Sequence, residues 1–199
     1  MSQMADGVGS AEVADRYERI AAGFTSRLEG CTGEHWAWPT PCTEWSAGDI
    51  ATHVIGVHRL ILTMLDGGDV EAVADDADLV AAWHETSAFM LGALRDRARA
   101  TRVVVTPFGE MPFEDLASRV VCSDTLVHTW DLARASSQDE HLDARAVEFA
   151  WQWMEPAGER LRASGDFGPA VDPPADTDRQ TQLLCFLGRD ARPGPATQS

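Results

Sequence analysis

The chain has 199 residues, 44% of them apolar, enough for one sizeable core and short for two, so a single domain over residues 1–199 is expected. Sixteen arginines, with no lysine, stand against 32 acidic residues for a formal net charge of −16. The clustered cations needed for a phosphate backbone or an anionic bilayer are missing, so neither nucleic acid nor a membrane is an expected partner. No apolar run approaches the roughly 18 residues of a membrane span, and Met1 to Glu12 has neither the basic nor the apolar part of a secretory signal, which predicts a cytoplasmic protein.

Residues 10–30 read as a first helix, with Val13, Tyr17, Ile20, Ala21, Phe24 and Leu28 recurring along one face. Gly33, Pro39 and Pro41 then require a loop, whose Trp36, Trp38 and Trp45 are expected to pack onto the helices. Ser46 and Asp49 form a capping pair for a second helix, and Ile50, Val54, Val57, Ile61 and Leu65 are its apolar stripe, ending at Asp66-Gly67-Gly68. A third helix is predicted over 76–100, with Leu79, Ala82, Trp83, Phe89, Met90 and Leu94 inward. Val103-Val104-Val105 followed by Thr106-Pro107-Phe108-Gly109 predicts a short hairpin. The fourth helix spans 113–135 through Leu116, Val120, Val121, Val127 and Leu132, and a fifth spans 143–164 with Trp151, Trp153 and Met154. Residues 165–178, with three prolines, read as an irregular crossing before a last helical turn at 182–187, and 1–9 and 192–199 are expected to be flexible tails. The fold class that follows is all-α: a helical bundle with a C-terminal addition and a hairpin before the fourth helix.

Cys31, Cys42, Cys122 and Cys185 are too far apart for a C-x-x-C site, so reduced, mostly buried thiols are expected. Asp124 and His128, four apart, share one helix face about one turn from each other, in a stretch made apolar by Val120, Val121 and Val127. A carboxylate and an imidazole in that setting must be paired or bound to a metal. His53 is a comparable polar intrusion on the second helix, and two imidazoles with one carboxylate leave a coordination position open, as catalytic zinc sites do. Spacing alone is a weak signal for metal and favours a structural carboxylate–histidine hydrogen bond.

Several residues read either way. Asp131, three beyond His128, is a candidate acceptor orienting that ring or an exposed helix acid. Trp130 is read as packing, with the substrate pocket as the alternative. Cys42 is read as a structural thiol, though its loop leads to the second helix. Five residues beyond His53, His58 is turned about 140° away and is read as exposed. Asp49 is assigned to capping, and His35, His84 and His141 to the surface.

Three stretches carry a family likeness: Pro41-Cys42-Thr43-Glu44-Trp45, Asp49-Ile50-Ala51-Thr52-His53-Val54, and Asp124-Thr125-Leu126-Val127-His128-Thr129-Trp130-Asp131-Leu132-Ala133. They resemble the DinB/YfiT-like metalloenzyme superfamily, and within it the actinobacterial branch that includes mycothiol-dependent maleylpyruvate isomerase. The likeness reaches to Phe186-Leu187-Gly188-Arg189-Asp190. It implies a DinB-like four-helix bundle whose metal ligands, on the second and fourth helices, correspond to His53, Asp124 and His128. The isomerase has glutamate where this chain has Asp124, a side chain shorter by one methylene.

The resemblance implies one divalent ion, zinc in the first instance with nickel, iron or manganese as alternatives, and mycothiol as co-substrate. An arginine-only cation set fits a GC-rich actinobacterial source, in which mycothiol is the expected thiol. The expected activity is that of a metal-dependent thiol transferase or isomerase joining a low-molecular-weight thiol to a small electrophile, by a monomer or homodimer. Two alternatives stand beside it: a thiol-independent hydrolase or secondary-metabolism enzyme that activates water, and a non-enzymatic metal-binding bundle.

Overall fold

The computed structural model describes residues 9–107, 109–163 and 168–192. Helix α1 (Ser10–Glu29) buries Val13, Tyr17, Ile20, Phe24 and Leu28 along one stripe. A 3-10 turn (Gly33–Ala37) follows, which the loop reading did not anticipate; His35 caps it by accepting from the Thr32 amide at 3.1 Å. Helix α2 (Ala47–Asp66) begins with the expected box: Ser46 Oγ accepts from the Asp49 amide, and Asp49 Oδ2 accepts from the Ser46 amide at 2.8 Å. Its end is set by Gly67 and Gly68, both at positive φ.

Helix α3 (Leu79–Arg95) stops short of the predicted 76–100 span, and α4 (Arg97–Ala100) is separate from it. The break is Asp96, extended at ψ 106°, whose carboxylate accepts from the Ala98 and Arg99 amides and so restarts the helix. Phe89, expected inward, is 60% exposed, because the buried stripe runs through Trp83, Thr86, Met90 and Leu94 and turns Phe89 outward. Strands β1 (Val103–Thr106) and β2 (Gly109–Pro112) form the expected antiparallel hairpin, with Val104 opposite Met111. Phe108, part of the turn signal, lies outside the described residues.

The predicted fourth helix is one continuous helical path in three parts: α5 (Phe113–Leu116), a π turn (Ala117–Val121) and α6 (Cys122–Ala135). The π turn inserts an extra residue per turn just before Asp124, a feature found disproportionately near functional positions. Helix α7 (Ala144–Met154), a 3-10 turn (Glu155–Ala157) and α8 (Gly158–Ala163) fill the predicted fifth span up to residue 163. Helix α9 (Arg179–Phe186), capped by Asp178, is longer than the expected 182–187 turn. The expected tails fall on 1–8 and 193–199, outside the described residues apart from Gly9 and Arg192.

Helices α1, α2, α3 and α6 form the bundle: α1 lies against α3 and α6, and α2 against the same two. Helices α7 and α9 pack on each other beside it, giving an all-α bundle with C-terminal helical additions and one hairpin. No described helix is long and apolar enough to cross a membrane. One part of the core joins α1, α3, α6, α7 and α9; the other gathers Phe24, Leu28, Ile50, Val54, Ile55, Trp83 and Leu132. Trp83 is its largest member, edge-on to Phe24 at 4.7 Å and donating from Nε1 to Thr25 Oγ1 at 2.8 Å.

His58, read as exposed, is 0% exposed. It does point away from His53, but that side of α2 meets Tyr17 and Trp83, at ring separations of 5.7 and 5.0 Å. Nδ1–H donates to the Val54 carbonyl at 2.7 Å, while the buried Nε2 has no hydrogen-bond partner among the described residues. Burial pushes this imidazole down from 6.5 to about 4, against the Val54 bond and the Asp124 charge, which both favour the proton. Below pH 6.5 the unfolded chain therefore binds a proton at residue 58 that the native state refuses, and stability falls with pH. Between 6.5 and about 4 this group alone should remove about 3 kcal/mol from the metal-free protein. Urea denaturation across that range should show the loss, with a shallower pH slope in His58→Phe.

Candidate metal centre

His53 stands on α2 and Asp124 and His128 on α6, two helices in direct contact. The i, i+4 spacing stacks Asp124 under His128, and the helix packing brings His53 across to them. His53 Nε2 is 3.1 Å from Asp124 Oδ1, His128 Nε2 is 3.4 Å from the same oxygen, and the two imidazole centroids are 5.0 Å apart. One ligand atom from each of the three falls within 4.8 Å of the others.

These residues fit a divalent ion. Asp124 Oδ2 is buried with no hydrogen-bond partner among the described residues, an anionic acceptor that ordinary folding should have satisfied. Two imidazole nitrogens and a carboxylate suit zinc and other first-row divalent ions and leave at least one coordination position free. Holding the ion would fall to His53, Asp124 and His128.

The other ring nitrogen of His128 is also committed. Nδ1 is 2.9 Å from Asp131 Oδ2, and Asp131 is 0% exposed, so the exposed-acid reading does not apply. With Nδ1–H donating to Asp131, Nε2 is the nitrogen that faces the centre, and its lone pair becomes available to an ion once its proton is displaced. Arg189 holds Asp131 from behind: Nη2 donates to Oδ2 at 2.9 Å and Nε to Oδ1 at 3.3 Å. Burial works against ionising Asp131, yet the His128 hydrogen bond and the Arg189 charge bring its carboxyl down to about 2.

The same balance governs the pair nearest the centre. Burial opposes the charged form of Asp124, but the charge and hydrogen bond of His128, joined by His53, hold it well below the carboxylate range. For His128 burial again favours neutrality, and Asp124, Asp131 and Cys42 outweigh it, raising this imidazole well above 6.5.

A compact loop before α2 completes the site. The Thr40 amide donates to Trp45 O and the Trp45 amide to Cys42 O, each at 3.0 Å, and Glu44 takes the left-handed conformation at φ 69°. Trp45 is set 4.8 Å from the His53 ring and nearly parallel to His128 at 5.9 Å. Cys42, read as structural, lies beside Asp131 and Arg189: its thiol is 3.3 Å from Asp131 Oδ2 and receives Arg189 Nη2 at 3.2 Å. It is half-buried, unlike Cys31, Cys122 and Cys185, and all four are free.

Sequence reasoning missed Arg189 and the stacking of Trp45. Their signals were slight: a helix-stopping glycine ahead of Arg189, and a tryptophan adjacent to the α2 cap. Gly188, at φ 85° with a Cβ position only 3.1 Å from Pro169 O, makes the turn that aims Arg189 inward. Trp130 is buried in the core beneath Arg134, which fits packing. Asp49 caps α2, while His84 pairs with Glu29 and His141 with Asp139, away from the centre.

Fold and site together define a helical bundle with a two-histidine, one-carboxylate cluster between two facing helices. The mycothiol maleylpyruvate isomerase N-terminal domain family matches residues 17–133, and the chain belongs to that family. It is also 30% identical over 183 residues to two uncharacterised proteins, one from each of two Mycobacterium tuberculosis strains, covering 88% of this chain and 97% of each relative. No solved structure matches it.

Removing one ligand should be decisive: His128→Ala should abolish retention of zinc, measured by metal analysis after dialysis, while His84→Ala should leave it unchanged. Asp131→Asn keeps the ligands and weakens their support, so zinc affinity in a chelator competition should fall about 10–100-fold. Because the ion must displace the proton on His128, affinity should weaken as pH falls, starting above pH 6.5.

Proposed function

We propose that this protein is a divalent-metal-dependent transferase or isomerase that delivers a low-molecular-weight thiol, mycothiol in the first instance, to a small electrophile. The observation that carries the reading is the buried Asp124 carboxylate, whose Oδ1 is approached by two imidazoles while its Oδ2 has no hydrogen-bond partner among the described residues. When bound there, the ion supplies the Lewis acidity that takes a thiol as its thiolate at neutral pH. Family membership supplies the thiol's identity as a proposal.

The protein's own residues have separable tasks. Asp131 fixes the tautomer and plane of His128, and Arg189 fixes Asp131. Trp45 covers the two imidazoles with an apolar face, which limits water and offers a flat wall to the incoming thiol or its acceptor. Holding the thiol's sulfur in one place converts an encounter of two solutes into a reaction of a bound pair.

The test is consumption of mycothiol with monochlorobimane as electrophile, by the zinc-loaded and the chelated protein. Turnover that appears with zinc, disappears on chelation and falls at least tenfold in His53→Ala is expected. Absence of a metal-dependent thiol reaction with any electrophile offered, or metal-dependent hydrolysis with no thiol present, would defeat this reading.

A further inference from the structure

His128 is shared by two clusters of potential ligands. One is His53, Asp124 and His128; the other is Cys42, His128 and Asp131, whose ligand atoms also lie within 4.8 Å of one another. The second set contains a thiol, an imidazole nitrogen and a fully buried carboxylate, which is chemically a better trap for a thiophilic ion than the first. The difference between them is a cation already present. Arg189 Nη2 lies 2.9 Å from Asp131 Oδ2 and 3.2 Å from Cys42 Sγ, bridging two of the three ligand atoms. Among the described residues the first cluster contains no such side chain and keeps an unpartnered carboxylate oxygen.

We propose that Arg189 is a built-in cation occupying the Cys42–His128–Asp131 cluster, and that it thereby confines a divalent ion to His53, Asp124 and His128 and keeps Cys42 out of the coordination sphere. The inference rests on the metal reading above and adds a specificity determinant to it. Arg189 is well suited to the task. It is 9% exposed, it donates to both oxygens of Asp131, and Nη1 donates to the Leu187 carbonyl at 3.0 Å, so its plane is fixed by three separate partners. Its position depends on the Gly188 turn and on the Arg189 amide bond to Leu184 O at 2.9 Å, so the C-terminal helix controls which side of His128 a metal can use.

Cobalt(II) reports the outcome directly, because a coordinated thiolate gives sulfur-to-cobalt charge-transfer absorption in the near ultraviolet and nitrogen and oxygen ligands do not. The wild-type full chain titrated with Co2+ should bind the ion without that absorption. Arg189→Gln and Arg189→Met, both neutral, should gain it, and adding Cys42→Ser to either should remove it. Arg189→Lys, which restores a cation, should return the wild-type spectrum, a rescue that a purely structural role does not predict. Neutralising Arg189 leaves Asp131 with His128 alone as its charged partner, so each variant is checked for folding by circular dichroism, and whichever neutral replacement folds carries the test.

A folded neutral variant that binds Co2+ with the wild-type spectrum would overturn the proposal, as would thiolate absorption in the wild type or in Arg189→Lys. Failure of the wild type to bind Co2+ at all is a different result: it removes the metal centre itself and the proposal with it.

Discussion

His128 is held by both ring nitrogens at once, Nδ1 on Asp131 and Nε2 facing Asp124, and the rest of the site is arranged around that double commitment. An imidazole has one proton to donate and one lone pair to offer when neutral, so fixing the donor side determines where the lone pair goes. Asp131 does the fixing, and a carboxylate buried to that degree persists as an anion only because Arg189 and His128 both bond to it. Three elements far apart in the chain, the loop before α2, helix α6 and the segment after α9, thus meet at one imidazole.

What could be read from the sequence follows this division. Helical stripes, the Ser46–Asp49 box, the hairpin and the Asp124/His128 spacing are local patterns, and apart from the third helix each appears where its periodicity or capping chemistry put it. The convergence of His53 on Asp124 needed packing of α2 against α6: as a polar intrusion on the second helix His53 was a candidate, and the family likeness strengthened it, but no spacing fixed it. Arg189 was hard to read because its partner lies 58 residues away and the glycine ahead of it is only a slight local signal. His58 misled for another reason: the wheel angle from His53 was right, but a bundle helix with neighbours on two sides has no face that is solvent by default. Phe89 shows the converse, an aromatic residue one step off the stripe that joins Trp83 to Met90. The π turn before Asp124 has no single-sequence signature at all, since it is a hydrogen-bonding shift within an uninterrupted helix.

The loop carrying Cys42 and Trp45 has a similar status. Its two tryptophan neighbours announced packing, yet the tight turn closed by Thr40, Cys42 and Trp45 also sets an indole against His128 and a thiol beside that ring's Asp131 partner. A left-handed Glu44 is the backbone cost of that turn, of order 1 kcal/mol for a residue without glycine's freedom. That strain is borne where the chain enters α2, immediately before the capped residues that position His53.

Charge gives the arrangement its chemical sense. The protein carries a large negative excess, but at the site the anions are matched one by one. Asp131 is neutralised by Arg189, which leaves Asp124 as the anion available to a divalent ion in the proposed centre. One positive charge then remains in a partly buried, low-dielectric setting, where an uncompensated charge is expensive. An incoming thiolate would bring the balance to zero, as a hydroxide would; a neutral carbonyl would not. Without Arg189, Asp131 would be a second uncompensated anion close to the proposed centre, and the electrostatic reason for accepting a thiolate would be weakened. In the proposed centre, the residue that would keep Cys42 from becoming a ligand would therefore also favour an external thiolate.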